Sequence, residues 1–392
     1  MTSGGDPTPA PGSPARRGTP TDEGGAALVD GGEGGAGEAR GVAGRWQSDM
    51  PDGRIRCDLC PRGCTLRDGQ RGFCFVRERH GADIRCTTWG KASGFALDPV
   101  EKKPLAHFHP GQAVLSFGTA GCNLACKFCQ NHEISAARRW DRLSQEATPA
   151  RIAEAATAWG VDQVAMTYND PVIFAEYAID TARACHEAGV RSIAVTAGWI
   201  TARARADFFD AMDATNIDLK GFDADFYRKV TGAELADVLE TISWVVNRGR
   251  TWVELTTLLI PGHNDAEGEL RAQCRWILSE LGPDVPLHFS AFHPDHRMLD
   301  VPPTPAASLR RAREIALEEG LHFVYCGNVH DVEADTTRCA SCGEVLIRRD
   351  WYRILDYRLD ARGRCPSCGT ALAGRFDARP GSFGARSIPV RL

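Results

Sequence analysis

The sequence predicts an α/β fold: a parallel sheet closed part of the way round as a (β/α)6-type barrel, with a cysteine-rich segment before it and a zinc-ribbon-like domain after it. Three observations lead there. Residues 112–330 alternate short apolar runs with longer helical patterns, the order that builds a parallel sheet, open or closed. Three cysteines follow the first of those runs directly. Two Cys-x2-Cys pairs lie beyond the last one.

Taken in order, the apolar runs are 113–119, 162–168, 191–197, 215–220, 251–260, 285–292 and 321–326, each a strand candidate. Thr148-Pro149 opens a helix, with proline well placed at a first helical position. Further helices are expected near 172–188, 201–213, 233–249, 265–281 and 305–319, with Gly189 and Gly320 as helix ends. Six or seven such repeats fit a complete or partial barrel better than a short open sheet. Residues 1–45 hold almost no large apolar side chain and read as a disordered leader. The other divisions are 46–110, a cysteine-rich metal-binding segment; 111–330, the core; 331–375, the ribbon; and 376–392, a loose basic tail.

Composition limits the function classes. The chain has 392 residues, 43% hydrophobic and 25% charged, with a net charge of −5, which argues against binding nucleic acid through bulk positive charge. No stretch approaches 18 consecutive apolar residues, so no membrane helix is expected, and the N-terminus has no apolar signal region. A cytoplasmic location follows as an expectation. There disulfides are rare, and close Cys-x2-Cys pairs read as metal or redox sites. Of the 15 cysteines, all but Cys86, Cys185, Cys274 and Cys326 fall into three clusters.

The central cluster is Cys122, Cys126 and Cys129, spaced C-x3-C-x2-C. Three thiolates on one loop can ligate three irons of one [4Fe–4S] cluster, which ordinarily takes four cysteines. One iron would then stay open to a non-protein ligand, the mark of a reactive metal site. The plainer alternative is zinc or an inert iron site completed by Cys185, Cys274 or Cys326.

The C-terminal pairs, Cys339/Cys342 and Cys365/Cys368, make a closed tetrahedral four-cysteine site for zinc, or for a rubredoxin-like iron. The N-terminal cluster is Cys57, Cys60, Cys64 and Cys74. Zinc and a second iron–sulfur cluster both fit it; the plainer reading is a structural metal.

The central triplet after the first strand resembles the radical S-adenosylmethionine (radical SAM) superfamily, whose core is a partial TIM-type barrel. The resemblance implies that the open iron chelates S-adenosylmethionine and that one electron cleaves it to a hydrogen-abstracting 5′-deoxyadenosyl radical. It also implies that Phe128 packs near the adenine, and that Asn169 and Asp170 sit by the cofactor's amino group. Asn-Asp-Pro is also a common turn and helix start. Asn216-Ile-Asp218-Leu-Lys220 resembles the Asp-Leu-Lys motif of glycyl-radical activating enzymes, which would place Asp218 and Lys220 toward the cofactor. Ile260-Pro-Gly262 resembles a backbone segment beside the adenine. His293 reads as a substrate group or a cap of the barrel, and His107 and His109 carry no assignment.

More specifically, residues 54–375 are similar to the AmmeMemoRadiSam system radical enzymes, related to pyruvate formate-lyase activating enzyme. The residues are Cys57-x-Leu-Cys-Pro61, Arg71-Gly-Phe-Cys74, Asp98-Pro-Val-Glu-Lys-Lys-Pro104, Ser116-Phe-Gly-Thr-Ala-Gly-Cys-Asn123, Cys129-Gln-Asn131 and Gly327-Asn328. That resemblance implies partners of the Memo and AMMECR types and a reductant such as flavodoxin or ferredoxin. The readings left open are a radical SAM enzyme acting on an unknown substrate, an activating enzyme for a glycyl-radical protein, and a non-catalytic iron–sulfur or zinc scaffold or electron-transfer protein.

Overall fold

The structure, a computed structural model, describes residues 41–137 and 144–392. Each expected apolar run becomes a strand. After β1 (Lys91–Pro99) come β2 (Ala113–Gly118), β3 (Gln163–Met166), β4 (Arg191–Thr196), β5 (Ala214–Asp218), β6 (Trp252–Leu259), β7 (Leu287–Ala291) and β8 (Val324–Gly327). Strands β2 to β8 are parallel and lie side by side in chain order. There are seven of them, one more than a (β/α)6 count. Among the described residues no pairing joins β2 to β8, so the barrel is not closed. The strands are nearly continuous runs of buried residues, as expected for a sheet covered on both faces.

Helices α1 (Pro149–Ala158), α2 (Ala175–Glu187), α3 (Ala202–Phe209), α4 (Leu235–Arg248), α5 (Glu267–Leu281) and α6 (Ala306–Glu318) fill the crossovers. Thr148 caps α1, its hydroxyl accepting from the Arg151 amide, with Pro149 in the first turn. The helix expected from 172 begins instead as a tight 3-10 turn, Pro171–Phe174, and becomes α-helical at Ala175.

The leader's boundary moves. Residues 1–40 lie outside the described residues, but Val42–Ala43 already pairs with Asp83–Cys86, so structure begins before residue 45. The C-terminal residues, expected as a loose basic tail, are fastened to the core. Ile388–Pro389 pairs with Leu97 and Ala96 of β1, and Ser387 donates to Asp98 at 2.5 Å. This strand covers the otherwise open edge of β1, whose free N–H and C=O groups need partners.

Both cysteine-rich segments pack on the core. Arg77, on the strand Arg77–His80, makes a two-pronged ion pair with Glu176 of α2, and both side chains are buried. The ribbon contains a three-stranded antiparallel sheet, Thr337–Arg338, Val345–Asp350 and Arg353–Tyr357, with its own small apolar cluster around Leu346 and Ile347. His107 anchors it: its ring bonds the Tyr325 hydroxyl at 2.6 Å and the Ala373 carbonyl at 2.7 Å. Burial pushes the His107 pKa down to about 4, so the ring is neutral at pH 7. His109 meets Asp377 at 2.9 Å. The two histidines left unassigned by the sequence are therefore tethers for the C-terminal region. No helix among the described residues is long and apolar enough to cross a membrane.

Candidate functional site

The loop leaving β2 carries Cys122, Cys126 and Cys129 to the wall of a cavity of about 270 Å³. The rest of that wall comes from the C-terminal ends of the other parallel strands: Thr167 to Asp170 after β3, Val195 to Ala197 at β4, Asp218 and Lys220 at β5, Thr256 and Leu258 on β6, Ser290 on β7 and Asn328 after β8. Seven strands laid flat at about 4.8 Å spacing would span roughly 29 Å. One small cavity touching the ends of all seven therefore requires the sheet to curl.

Phe128 is buried, stacked on Phe226 with ring centres 6.3 Å apart, and the Lys220 ammonium lies 5.7 Å from its ring centre. Lys220 pairs with Asp218 at 3.0 Å. Burial disfavours the Lys220 charge, but the Asp218 carboxylate beside it outweighs burial and holds the ammonium protonated. The Asp-Leu-Lys segment thus faces the cysteine loop. Asn264 clamps it there by donating to the Lys220 carbonyl at 2.8 Å and the Leu258 carbonyl at 2.9 Å.

Asn169 and Asp170 line the cavity, but their hydrogen bonds serve the protein. The Asn169 amide donates to the Gly121 carbonyl at 2.8 Å and the Thr119 hydroxyl at 3.1 Å, and its oxygen accepts from the Thr119 amide at 3.0 Å. Asp170 accepts from the Val172 amide at 3.0 Å, the Thr196 hydroxyl at 2.8 Å and the Ala197 amide at 3.0 Å. Asn169 thus braces the cysteine loop against β3, and Asp170 caps the 3-10 turn while tying β3 to β4. The Asp170 cap is the helix start that Asn-Asp-Pro also suggests, whereas the Asn169 side chain reaches outside the turn to the loop. Asn169→Ala is expected to lower the iron retained per chain after reconstitution, because it unties the loop. A side chain that only contacted the cofactor would leave iron unchanged and raise KM for S-adenosylmethionine.

Ile260-Pro-Gly262 forms a turn outside this cavity, with the His263 amide donating to the Ile260 carbonyl at 3.0 Å. His293 is exposed and also lies off the wall. Several lining residues escaped sequence reading. Thr196, Thr256 and Ser290 carried one signal, a hydroxyl near the end of an otherwise apolar run. Tyr168 and Asn328 have φ of 72° and 60°, conformations uncommon outside glycine that gather at functional sites.

A second cavity of about 390 Å³ adjoins the first and shares Pro104, Gln130, Asn131, Tyr168, Ser290 and Asn328 with it. Its other wall includes Glu101, Lys103, Asp335, Arg349, Trp351 and Tyr352, so the ribbon contributes side chains to it. Burial raises Glu101 and Asp335 to about 7 and lowers Lys103 to about 8, which makes the cavity's charge responsive near neutral pH.

Cys339, Cys342, Cys365 and Cys368 bring all four sulfurs within 4.8 Å of one another, with cross-pair separations of 3.5 and 3.6 Å. A tetrahedral ion with metal–sulfur bonds of about 2.3 Å sets sulfurs about 3.8 Å apart. These four can therefore hold one metal ion.

A family model described as the radical SAM superfamily matches residues 117–273, which span the cysteine loop and the C-terminal ends of β3 to β6. An uncharacterized protein of Methanocaldococcus jannaschii is 40% identical over 321 residues, covering 82% of this chain and 95% of its own. The chain belongs to the radical SAM superfamily. As such it is an enzyme, and the [4Fe–4S] cluster and S-adenosylmethionine are its cofactors. A GTP 3′,8-cyclase of Alkaliphilus oremlandii is 27% identical over 38% of this chain and 47% of its own length. Among solved structures, a radical SAM methyltransferase from Sphaerobacter thermophilus aligns with TM-score 0.46 at 14% identity, over 78% of this chain and 80% of that one. A domain of a pyruvate-formate lyase-activating enzyme from Bacteroides vulgatus aligns at 0.38 and 17%, over 42% of this chain and 98% of that one.

The radical SAM cofactors fit the first cavity. Three thiols reach its wall, and no fourth cysteine lines it. The buried Thr256 hydroxyl also lines it and has no hydrogen-bond partner among the described residues, an acceptor and donor left for a bound molecule.

Proposed function

We propose that this chain reductively cleaves S-adenosylmethionine at Cys122, Cys126 and Cys129 and abstracts hydrogen from a substrate held in the adjoining cavity. The observation that supports this reading is the convergence of three thiols, and no more, on a cavity ringed by polar strand ends. When bound, the cluster supplies the electron that breaks the sulfonium and frees the 5′-deoxyadenosyl radical. The chain's own part is to hold and enclose. Asn169 and Asp170 keep the loop in register with β3 and β4. Lys220 offsets negative charge at the thiolates, and Phe128 with Phe226 keeps one side of the site dry.

The substrate would sit against Glu101, Lys103, Arg349 and Trp351, in the 390 Å³ space that shares a wall with the cofactor cavity. The Asp218-Leu-Lys220 segment beside the loop supports a second reading, activation of a glycyl-radical protein. The sequence motifs support placement among the AmmeMemoRadiSam system enzymes, with Memo-type and AMMECR-type partners and a flavodoxin or ferredoxin reductant. The test is anaerobic reconstitution with iron and sulfide, then dithionite and S-adenosylmethionine. Equal yields of methionine and 5′-deoxyadenosine are expected. Iron-loaded protein that forms neither overturns the reading in favour of a non-catalytic scaffold. Electron paramagnetic resonance with a candidate partner protein would reveal a glycyl radical.

A further inference from the structure

The N-terminal cysteines differ in geometry from the C-terminal four. Cys57, Cys60, Cys64 and Cys74 all line one small enclosed cavity, together with Arg62, Arg77 and Asn123. Among the described residues, only the C-terminal four have their sulfurs within 4.8 Å of one another. The same chain thus holds one four-cysteine group drawn in to the size of a single ion and another standing around a space. A four-iron, four-sulfide cube is larger than an ion and keeps its thiolates further apart. Of the two metals the sequence left open here, geometry therefore favours a cluster over a single structural ion.

Position adds a second argument. The cavity wall includes Asn123, the neighbour of Cys122. Gly121, on the other side of Cys122, lies so close to the Cys74 carbonyl that a β-carbon there would sit 2.1 Å from its oxygen. Gly121 also has φ of 87°, so any other residue there would be strained as well. Arg62, between Cys60 and Cys64, donates to the Asn123 carbonyl at 3.0 Å and the Gly232 carbonyl at 2.8 Å. Arg62 has no carboxylate partner among the described residues; its guanidinium lies 3.8 Å from the Phe73 ring centre and 5.0 Å from that of Trp199, and the side chain lines the cavity, so no acid there cancels its charge. Four thiolates around a cube with a 2+ core carry a net charge of −2, the kind of anion that would need it.

We propose that Cys57, Cys60, Cys64 and Cys74 hold a second iron–sulfur cluster that passes electrons to the Cys122–Cys129 site across the Cys74–Gly121 contact. One electron arrives from a one-electron donor protein of the flavodoxin or ferredoxin class, reducing the outer core from 2+ to 1+. It leaves for the inner core, which falls from 2+ to 1+, and the outer core returns to 2+. The relay rests on the radical reading of the inner site; the identity of the outer metal does not.

Two measurements separate those parts. The first is iron, sulfide and zinc content of a Cys122→Ala/Cys126→Ala/Cys129→Ala chain after anaerobic reconstitution. About four irons and four sulfides per chain are expected, with the reduced-cluster resonance of the outer site. Zinc at the outer cysteines with no iron overturns the proposal. The second is Arg62→Gln, which removes the facing cation without touching a ligand. It should keep full iron content and shift the outer cluster's midpoint potential negative. In that variant, 5′-deoxyadenosine formation driven by reduced flavodoxin should fall at least tenfold, while dithionite-driven formation stays within twofold. An unchanged potential, or equal losses with both reductants, overturns the relay. Absence of 5′-deoxyadenosine in wild type with both reductants would fault the radical reading and leave the iron count to stand.

Discussion

Cys126→Ala is expected to abolish 5′-deoxyadenosine formation and to strip the inner site of its iron. Cys126 stands between the other two ligands on one short loop, and Lys220 and Asp218 are arranged around it. A cluster held by three protein thiolates has none to spare, and the two that remain cannot fix its orientation toward the strand ends. Burial raises the free Cys126 thiol to about 12, opposed by Lys220, so loading must also displace a proton. The matched control is Cys342→Ala, which opens the C-terminal four, whose sulfurs lie 3.5 to 3.6 Å apart in cross pairs. It should lower the thermal midpoint and leave the inner cluster's absorption in place. Loss of that absorption from a folded Cys342→Ala protein would refute the division of labour between the two sites.

The second large effect is expected at the buried ion pair. Arg77 and Glu176 are 2% and 1% exposed, which means that either one alone would be an uncompensated buried charge. Arg77 also donates to the Ile173 carbonyl at 2.8 Å, and Glu176 accepts from the Arg45 amide at 2.9 Å. Arg77→Met should therefore cost about 3–5 kcal/mol, read as a lower urea midpoint with unchanged slope. Adding Glu176→Met should recover a large part of that loss, because no bare charge then remains. If the double variant is as unstable as the single one, the pair's value lies in geometry rather than charge. The pair joins the N-terminal cysteine segment to α2. Arg77→Met should also lower the metal retained at the N-terminal cysteines more than the iron retained at Cys122, Cys126 and Cys129.

Several of these features could be read from the chain itself. The seven apolar runs became seven parallel strands because strand and helix periodicity are properties of short windows. The thiol triplet was legible because its ligands are bound within eight residues on one loop. Asp218 and Lys220 were legible for a related reason: they close an apolar run, and the ends of parallel strands gather at one face. Asn169 was visible but its job was not. The loop it braces lies 50 residues earlier in the chain, and no local pattern shows which partner uses an amide. The C-terminal residues looked loose because their partners on β1 lie nearly 300 residues away, as the separation of 289 between Ser387 and Asp98 shows.

The sequence by itself determined which cysteines group together, their number and the order of strands and helices, since covalent spacing and side-chain periodicity are local. Only the tertiary structure decided how far apart each set of sulfurs stands, which polar side chains are spent on bracing, and which two cysteine groups touch. Those depend on contacts between distant segments, made when burial of the core draws them together.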